Sequence, residues 1–196
     1  MAKDLKAEIL HTAGELFHHD GYNEVSMRAI AEAMGISVGN LTYHFKRKEE
    51  LVEAVILEQH KNYRKTPPPE TVEELDAFFR RVLKRQSENR YYFRYYTQLA
   101  QLCPKVCQIQ LQVMADWRES LGRSFQLLAQ AGLMEQELFS GQWEHLIAAL
   151  RLLCIHDTDI NSYDGHTMLW SILYPLLTES GREVFRTMEK GKWKFI

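Results

Sequence analysis

Cysteine is scarce in this chain, three residues in 196, and none stands in a CxxC or His-spaced arrangement. That excludes a disulfide framework and a sequence-defined zinc site, so the thiols read as reduced and no cofactor is expected. Long apolar runs are missing too. No stretch approaches the roughly 18 to 20 consecutive apolar residues of a membrane span, and Met1-Ala2-Lys3-Asp4-Leu5-Lys6 lacks the apolar centre of a signal peptide, so a cytoplasmic protein without a membrane partner is expected. Neither sign of charge dominates: 24 Lys+Arg face 26 Asp+Glu, a formal −2. A nucleic-acid partner would therefore have to be met by a local basic patch. Alternating β-branched runs are also absent, which removes the strand signal.

What is present repeats its apolar residues at three and four positions, and the fold class predicted is all-α. Leu5, Ile9, Ala13, Leu16 and Phe17 share one face of a helix over about Lys3 to His19, stopped by Asp20-Gly21. Ser26 caps a short second helix that turns Ile30, Ala31 and Met34 inward and ends at Gly35, and Ser37 caps a third of about two turns. Two short helices joined by a Gly-containing turn are the helix-turn-helix pattern. The predicted division is a helix-turn-helix domain over 1–48, a connecting helix over 49–65, a Pro-rich linker over 66–70 and a larger helical domain over 71–196. The linker follows from Thr66-Pro67-Pro68-Pro69-Glu70, since proline lacks an amide hydrogen and disfavours helix before it.

In the larger domain the capping box Thr71-Val72-Glu73-Glu74 opens a helix to about Glu88. Further helices are predicted over Tyr91 to Leu102, Pro104 to Gln130, Gln142 to Ile155 and Gly165 to Leu177, the last kinked or shortened by Pro175. Ser180-Gly181-Arg182-Glu183 has capping-box form and opens a terminal helix to about Lys190.

Charge singles out one segment. Ser26 to Lys48 holds four cations (Arg28, Lys46, Arg47, Lys48) and one acid (Glu32), whereas residues 1–65 hold nine cations and ten acids. The second helix of such a motif enters the major groove and must present short or polar side chains. Ser37, Val38, Gly39, Asn40 and Thr42 fit: Asn40 for an adenine edge, Val38 and the Thr42 methyl for thymine methyls, Gly39 for close backbone approach. Ser26, Arg28, Tyr43, His44 and Lys48 complete the DNA-binding set as phosphate or groove contacts, while Leu41 and Phe45 face a small core.

At these residues the stretch resembles the TetR family of bacterial one-component transcriptional regulators. Ile30-Ala31, Gly35-Ile36-Ser37, Gly39, Leu41, His44-Phe45 and Lys48-Glu49-Glu50-Leu51 match the family pattern over some 25 positions, and Ser26 stands where the family usually has Thr. Met34 replaces the usual small residue, and Thr42 takes the place of the common Tyr, which passes more of the phosphate contact to Tyr43. The resemblance covers roughly residues 5 to 60. It implies a homodimer in which the last two long helices of each subunit pair with their copies. Gln142 to Ile155 and Gly165 to Leu177 would do so here, through Leu146, Ile147, Leu150, Leu169, Ile172, Leu173 and Leu176.

Tyr91, Tyr92, Phe93, Tyr95 and Tyr96 put five rings into six positions, too many for one helix face. Phe79, Tyr92, Tyr95, Tyr96, Trp117 and Trp143 are the candidate ligand-binding residues, although aromatic stripes are commonly core. Cys103 with Cys107, and the looser group Cys154, His156, Asp157, Asp159 and His166, are weaker metal or redox candidates. The reading that follows is a dimeric DNA-binding repressor, not an enzyme, released from a palindromic double-stranded operator by a small-molecule effector. The alternatives are an all-helical enzyme or small-molecule carrier with a structural N-terminal unit, and a protein-interaction module.

Overall fold

The computed structural model describes residues 2–155 and 164–189, with side chains from Leu5 onward; among these, eleven α-helices form and no strand. They are α1 (Ala2–Asp20), α2 (Met27–Ala33), α3 (Val38–His44), α4 (Lys48–His60), α5 (Val72–Glu88), α6 (Arg90–Arg94), α7 (Tyr96–Leu102), α8 (Pro104–Gln130), α9 (Gln142–Ile155), α10 (Gly165–Leu173) and α11 (Glu179–Met188). Two compact units result: Met1–Arg64 with Asn89–Gln112, and Lys65–Glu88 with Val113–Ile196. The stretch 71–196, expected as one domain, is thus divided, because 89–112 packs with the N-terminal helices.

The first unit closes around Ile9, Ala13 and Phe17 of α1, Leu41 of α3, and Leu51, Val52, Val55 and Ile56 of α4. Tyr91, Tyr92, Leu99, Cys103 and Val106 join the same core. Helix α4 stops at His60, short of the end at 65 expected for the connecting helix. Lys61 and Asn62 are exposed and bury no apolar face, and the chain leaves through a Tyr63 N–H to His60 carbonyl turn (2.8 Å). The helix expected over Tyr91 to Leu102 breaks in two at Tyr95 (φ −107°, ψ 22°). The break turns the five rings to different neighbours and leaves Arg94 exposed.

The second unit buries Leu75 and Phe79 of α5, Leu121, Phe125 and Leu128 of α8, Ile147 and Leu150 of α9, Leu169, Trp170 and Leu173 of α10, and Phe185 of α11. The hydroxyl half of the predicted capping box forms, the Glu74 amide donating to Thr71 Oγ1 (3.2 Å), while the Glu74 carboxylate accepts from the amide of Glu70 (2.8 Å), one residue before the cap. Helix α10 ends at Leu173 and a 3-10 turn carries Pro175. Helix α11 is capped by Thr178, not Ser180, which places Gly181 inside the helix.

Candidate nucleic-acid interface

The helix-turn-helix is built by local hydrogen bonds. Ser26 Oγ accepts from the Ala29 amide and Ser37 Oγ from the Asn40 amide, each at 3.1 Å, satisfying first-turn donors that the helices leave open. Between them Gly35 takes φ +65°, a conformation other side chains resist, and the Ile36 amide donates back to the Ala31 carbonyl at 3.0 Å. Leu41 and Phe45 are buried, which anchors one edge of α3 and turns the rest outward.

That outward face holds most of the residues singled out from the pattern. Ser26, Arg28, Ser37, Val38, Gly39, Asn40 and Tyr43 are exposed, and Thr42 and His44 are half-buried. Val38 is 42% exposed and Tyr43 84%, so both side chains are open to contact from outside. The Thr42 hydroxyl donates back to the Val38 carbonyl (3.0 Å), leaving its methyl for contact. Ser26 and Ser37 accept through Oγ and keep their own O–H free to donate. The Tyr43 and His44 rings meet edge to face at 5.3 Å. Arg28 has no ion-pair partner among the described residues, nor has Lys46, which the pattern counted in the basic cluster but not as a contact.

Lys48 is different. Its Nζ donates to the carbonyls of Tyr22 (2.8 Å), Asn23 (3.4 Å) and Val25 (2.8 Å) and lies 4.4 Å from the centre of the Tyr22 ring. Burial lowers its pKa, with Glu49 and Glu24 opposing. The ammonium is committed to the α1–α2 loop, so the phosphate contact expected of Lys48 is replaced by an internal one. Burial, with Glu49 and Cys103 adding to it, pushes the Tyr22 phenol up to about 12, and the ring stays neutral beneath the cation.

The six candidate ligand residues do not share a core. Tyr92, Tyr95 and Tyr96 belong with the first unit, while Phe79, Trp117 and Trp143 belong with the second. Phe79 is fully buried, Tyr92 nearly so, and the other four are half-buried. The candidate dimer residues are corrected more sharply. Ile147, Leu150, Leu169 and Leu173 are spent inside the second unit, Leu146 and Leu176 are half-buried, and Ile172 is 37% exposed. For Ile147, Leu150, Leu169 and Leu173 the apolar face that the pattern marked serves the chain's own core, while Ile172 stays at the surface.

A convergence not foreseen joins Asp76, His166 and Glu189, whose ligand-type atoms lie within 4.8 Å of one another. Asp76 Oδ1 lies 2.5 Å from His166 Nε2 and accepts from Trp170 Nε1 at 2.8 Å, while Arg80 Nε donates to Asp76 Oδ2 at 2.6 Å. Arg80 also pairs with Glu189. A protein cation already neutralises both carboxylates, so the group reads as an ion-pair network. Of the looser candidates, Cys154 is buried with its thiol pushed up to about 12 by burial. His156, Asp157 and Asp159 lie outside the described residues. Burial, with Glu53 and Glu49, raises Cys103 to about 11 and keeps its thiol protonated, which opposes redox or metal chemistry there.

Residues 9–55 match the family model described as bacterial regulatory proteins, tetR family. The chain is 40% identical over 57 residues to the HTH-type transcriptional regulator UidR of Escherichia coli (strain K12), covering 29% of each chain. It is 24% identical over 161 residues to the probable HTH-type transcriptional regulator YttP of Bacillus subtilis (strain 168), over 78% of this chain and 76% of that one. In fold it is similar to the crystal structure of a TetR-family transcriptional regulator from Marinobacter aquaeolei VT8, with TM-score 0.78 at 21% identity, over 94% of this chain and 97% of the other. No helix among the described residues is long and apolar enough to cross a membrane.

Proposed function

We propose that this chain is a DNA-binding transcriptional repressor that reads the major groove with α3, a reading supported by the match of residues 9–55 to the family model of bacterial regulatory proteins, tetR family. The observation that carries the proposal is the outward face of α3. Asn40, the exposed Val38, the back-bonded Thr42 and the uncrowded Gly39 form one short-side-chain surface, bordered by Arg28, Lys46 and Tyr43. Packing alone needs none of these together. On this reading the chain acts by binding, and the Asp76, His166 and Glu189 group serves as an ion-pair network with Arg80.

A symmetric homodimer on a palindromic operator places two copies of α3 about 34–36 Å apart or a multiple of it. The surface proposed for dimerisation is the face of α9 and α10 left exposed: Ala148, Ala149 and Leu152 (52% exposed) with Ser171 and Ile172. Small residues there allow close helix approach, and the two large ones supply apolar area. A small-molecule effector, with the half-buried Trp117 and Trp143 as its first candidate contacts, lowers DNA affinity by binding better to the DNA-free form. The protein works in the cytoplasm, where its operator is.

Selection of bound sequences from random duplex DNA at moderate salt tests this. A palindromic motif is expected, with a mass in solution of two chains. A folded protein that enriches no sequence contradicts it and turns attention to the second unit as a small-molecule binder.

A further inference from the structure

The loop between α1 and α2, residues 21–25, has no helix of its own to fix it, yet it decides where α2 begins. It ends at Ser26, the cap of α2, and α2 in turn holds α3 through the Ile36 to Ala31 hydrogen bond. Lys48 at the start of α4 gathers the carbonyls of Tyr22, Asn23 and Val25. A second set of contacts reaches the loop from a segment more than seventy residues away in sequence. The Tyr95 ring packs edge-on against Tyr22 with centroids 6.0 Å apart. A Cβ on Gly21, where φ is +90°, would come within 3.4 Å of the Tyr95 hydroxyl. Gln98 Nε2 donates to Asn23 Oδ1 at 3.2 Å.

We infer that Tyr95 and Gln98 are positioning residues for DNA reading. Together with Lys48 they brace the 21–25 loop, and so set the placement of α2 and α3 without touching DNA. The inference rests on the DNA-binding function proposed above. Tyr95 sits at the break between α6 and α7, where backbone torsions leave helical values (φ −107°, ψ 22°) although its own amide and carbonyl still bond to Tyr91 and Leu99. Displacement of α6–α7 therefore withdraws the ring from Tyr22 and the amide from Asn23 together, and the loop keeps only Lys48 and its packing on α1, where Tyr22 meets Phe17 at 5.8 Å. Regulation of operator affinity through this contact requires no change in α3 itself. It also accounts for the break in the aromatic run: an unbroken helix would fix the direction of Tyr95 relative to Tyr91 and Tyr92, both of which are in the core.

The test compares Tyr95→Ala, Tyr95→Phe and Gln98→Ala with the parent protein on the duplex that the parent selects. Dissociation constants, base preference at each operator position and thermal unfolding midpoints are measured together. Gln98→Ala removes a solvent-exposed hydrogen bond and keeps the test valid should Tyr95→Ala fold poorly. The expected result is about tenfold weaker binding for Tyr95→Ala and Gln98→Ala with base preference unchanged, and recovery in Tyr95→Phe, which keeps the ring. Folded variants that bind as the parent does, or that differ only in unfolding midpoint, overturn the inference while leaving the DNA-binding function intact. A parent that selects no duplex removes the premise and the inference with it.

Discussion

A lysine whose three N–H groups all have acceptors has none to give a phosphate. Lys48 is in that position, so its removal strands the Tyr22 and Val25 carbonyls before it alters any contact with DNA. Lys48→Met is expected to lower unfolding free energy by about 2 kcal/mol, the cost of leaving part-buried carbonyls unmatched. It should leave the dependence of DNA affinity on salt unchanged. Arg28→Ala should do the reverse: Arg28 is exposed and unpaired among the described residues, so one lost phosphate contact reduces the slope of log Kd against log salt by about one. Urea unfolding and binding titrations between low and moderate salt separate the two. The sequence showed both residues as members of one basic cluster. It did not show that one cation was taken, because the carbonyls that take it lie more than twenty residues away and carry no side-chain signal.

At the scale of elements, helices with local causes were legible and long-range docking was not. Ser26, Ser37 and Thr71 cap α2, α3 and α5 as expected, since each cap is written within four residues. The cap of α11 was misplaced from Thr178 to Ser180 because Gly181 is chosen by a neighbour distant in sequence. A Cβ there would lie 2.0 Å from the Leu133 carbonyl oxygen, where Thr178 and Glu135 already tie the two segments together. Gly181→Ala is therefore expected to destabilise the second unit by about 3 kcal/mol despite the better helix propensity of alanine, a reversal that chemical unfolding reads directly. The Asp76 network docks α5, α10 and α11 in the same way. Burial pushes the Asp76 carboxyl up, but hydrogen bonds from His166, Arg80 and Trp170 outweigh it and bring the pKa from 3.8 to about 2. The folded value lies below the unfolded one, so this stabilisation is complete above pH 4 and is lost as pH falls through about 2; it amounts to about 2 kcal/mol. Unfolding measured against pH should show that increment in the parent and not in Asp76→Asn.

For the whole molecule, the order of helices and the DNA-reading segment could be read from the chain, but the allocation of surfaces could not. Periodicity marks a face as apolar without saying whether it meets its own chain or a copy. Ile147, Leu150, Leu169 and Leu173 were expected at a dimer interface and are core, while Ala148, Ala149 and Leu152 on the other side of α9 stay exposed. The aromatic residues show the same ambiguity, since six rings expected around one ligand are shared between two units. The division itself was hidden because 89–112 joins α1 and α4 through contacts such as Tyr91 to Gln59 (2.9 Å), which no local pattern announces.

The central claim, that α3 reads base edges, is tested most directly by comparing the sequences selected by Asn40→Ala with those selected by the parent. A change of about 1 to 3 kcal/mol in preference at one base pair of each half-site, with other positions retained, is the predicted result. An unchanged profile, or affinity lost equally for every sequence, would contradict it.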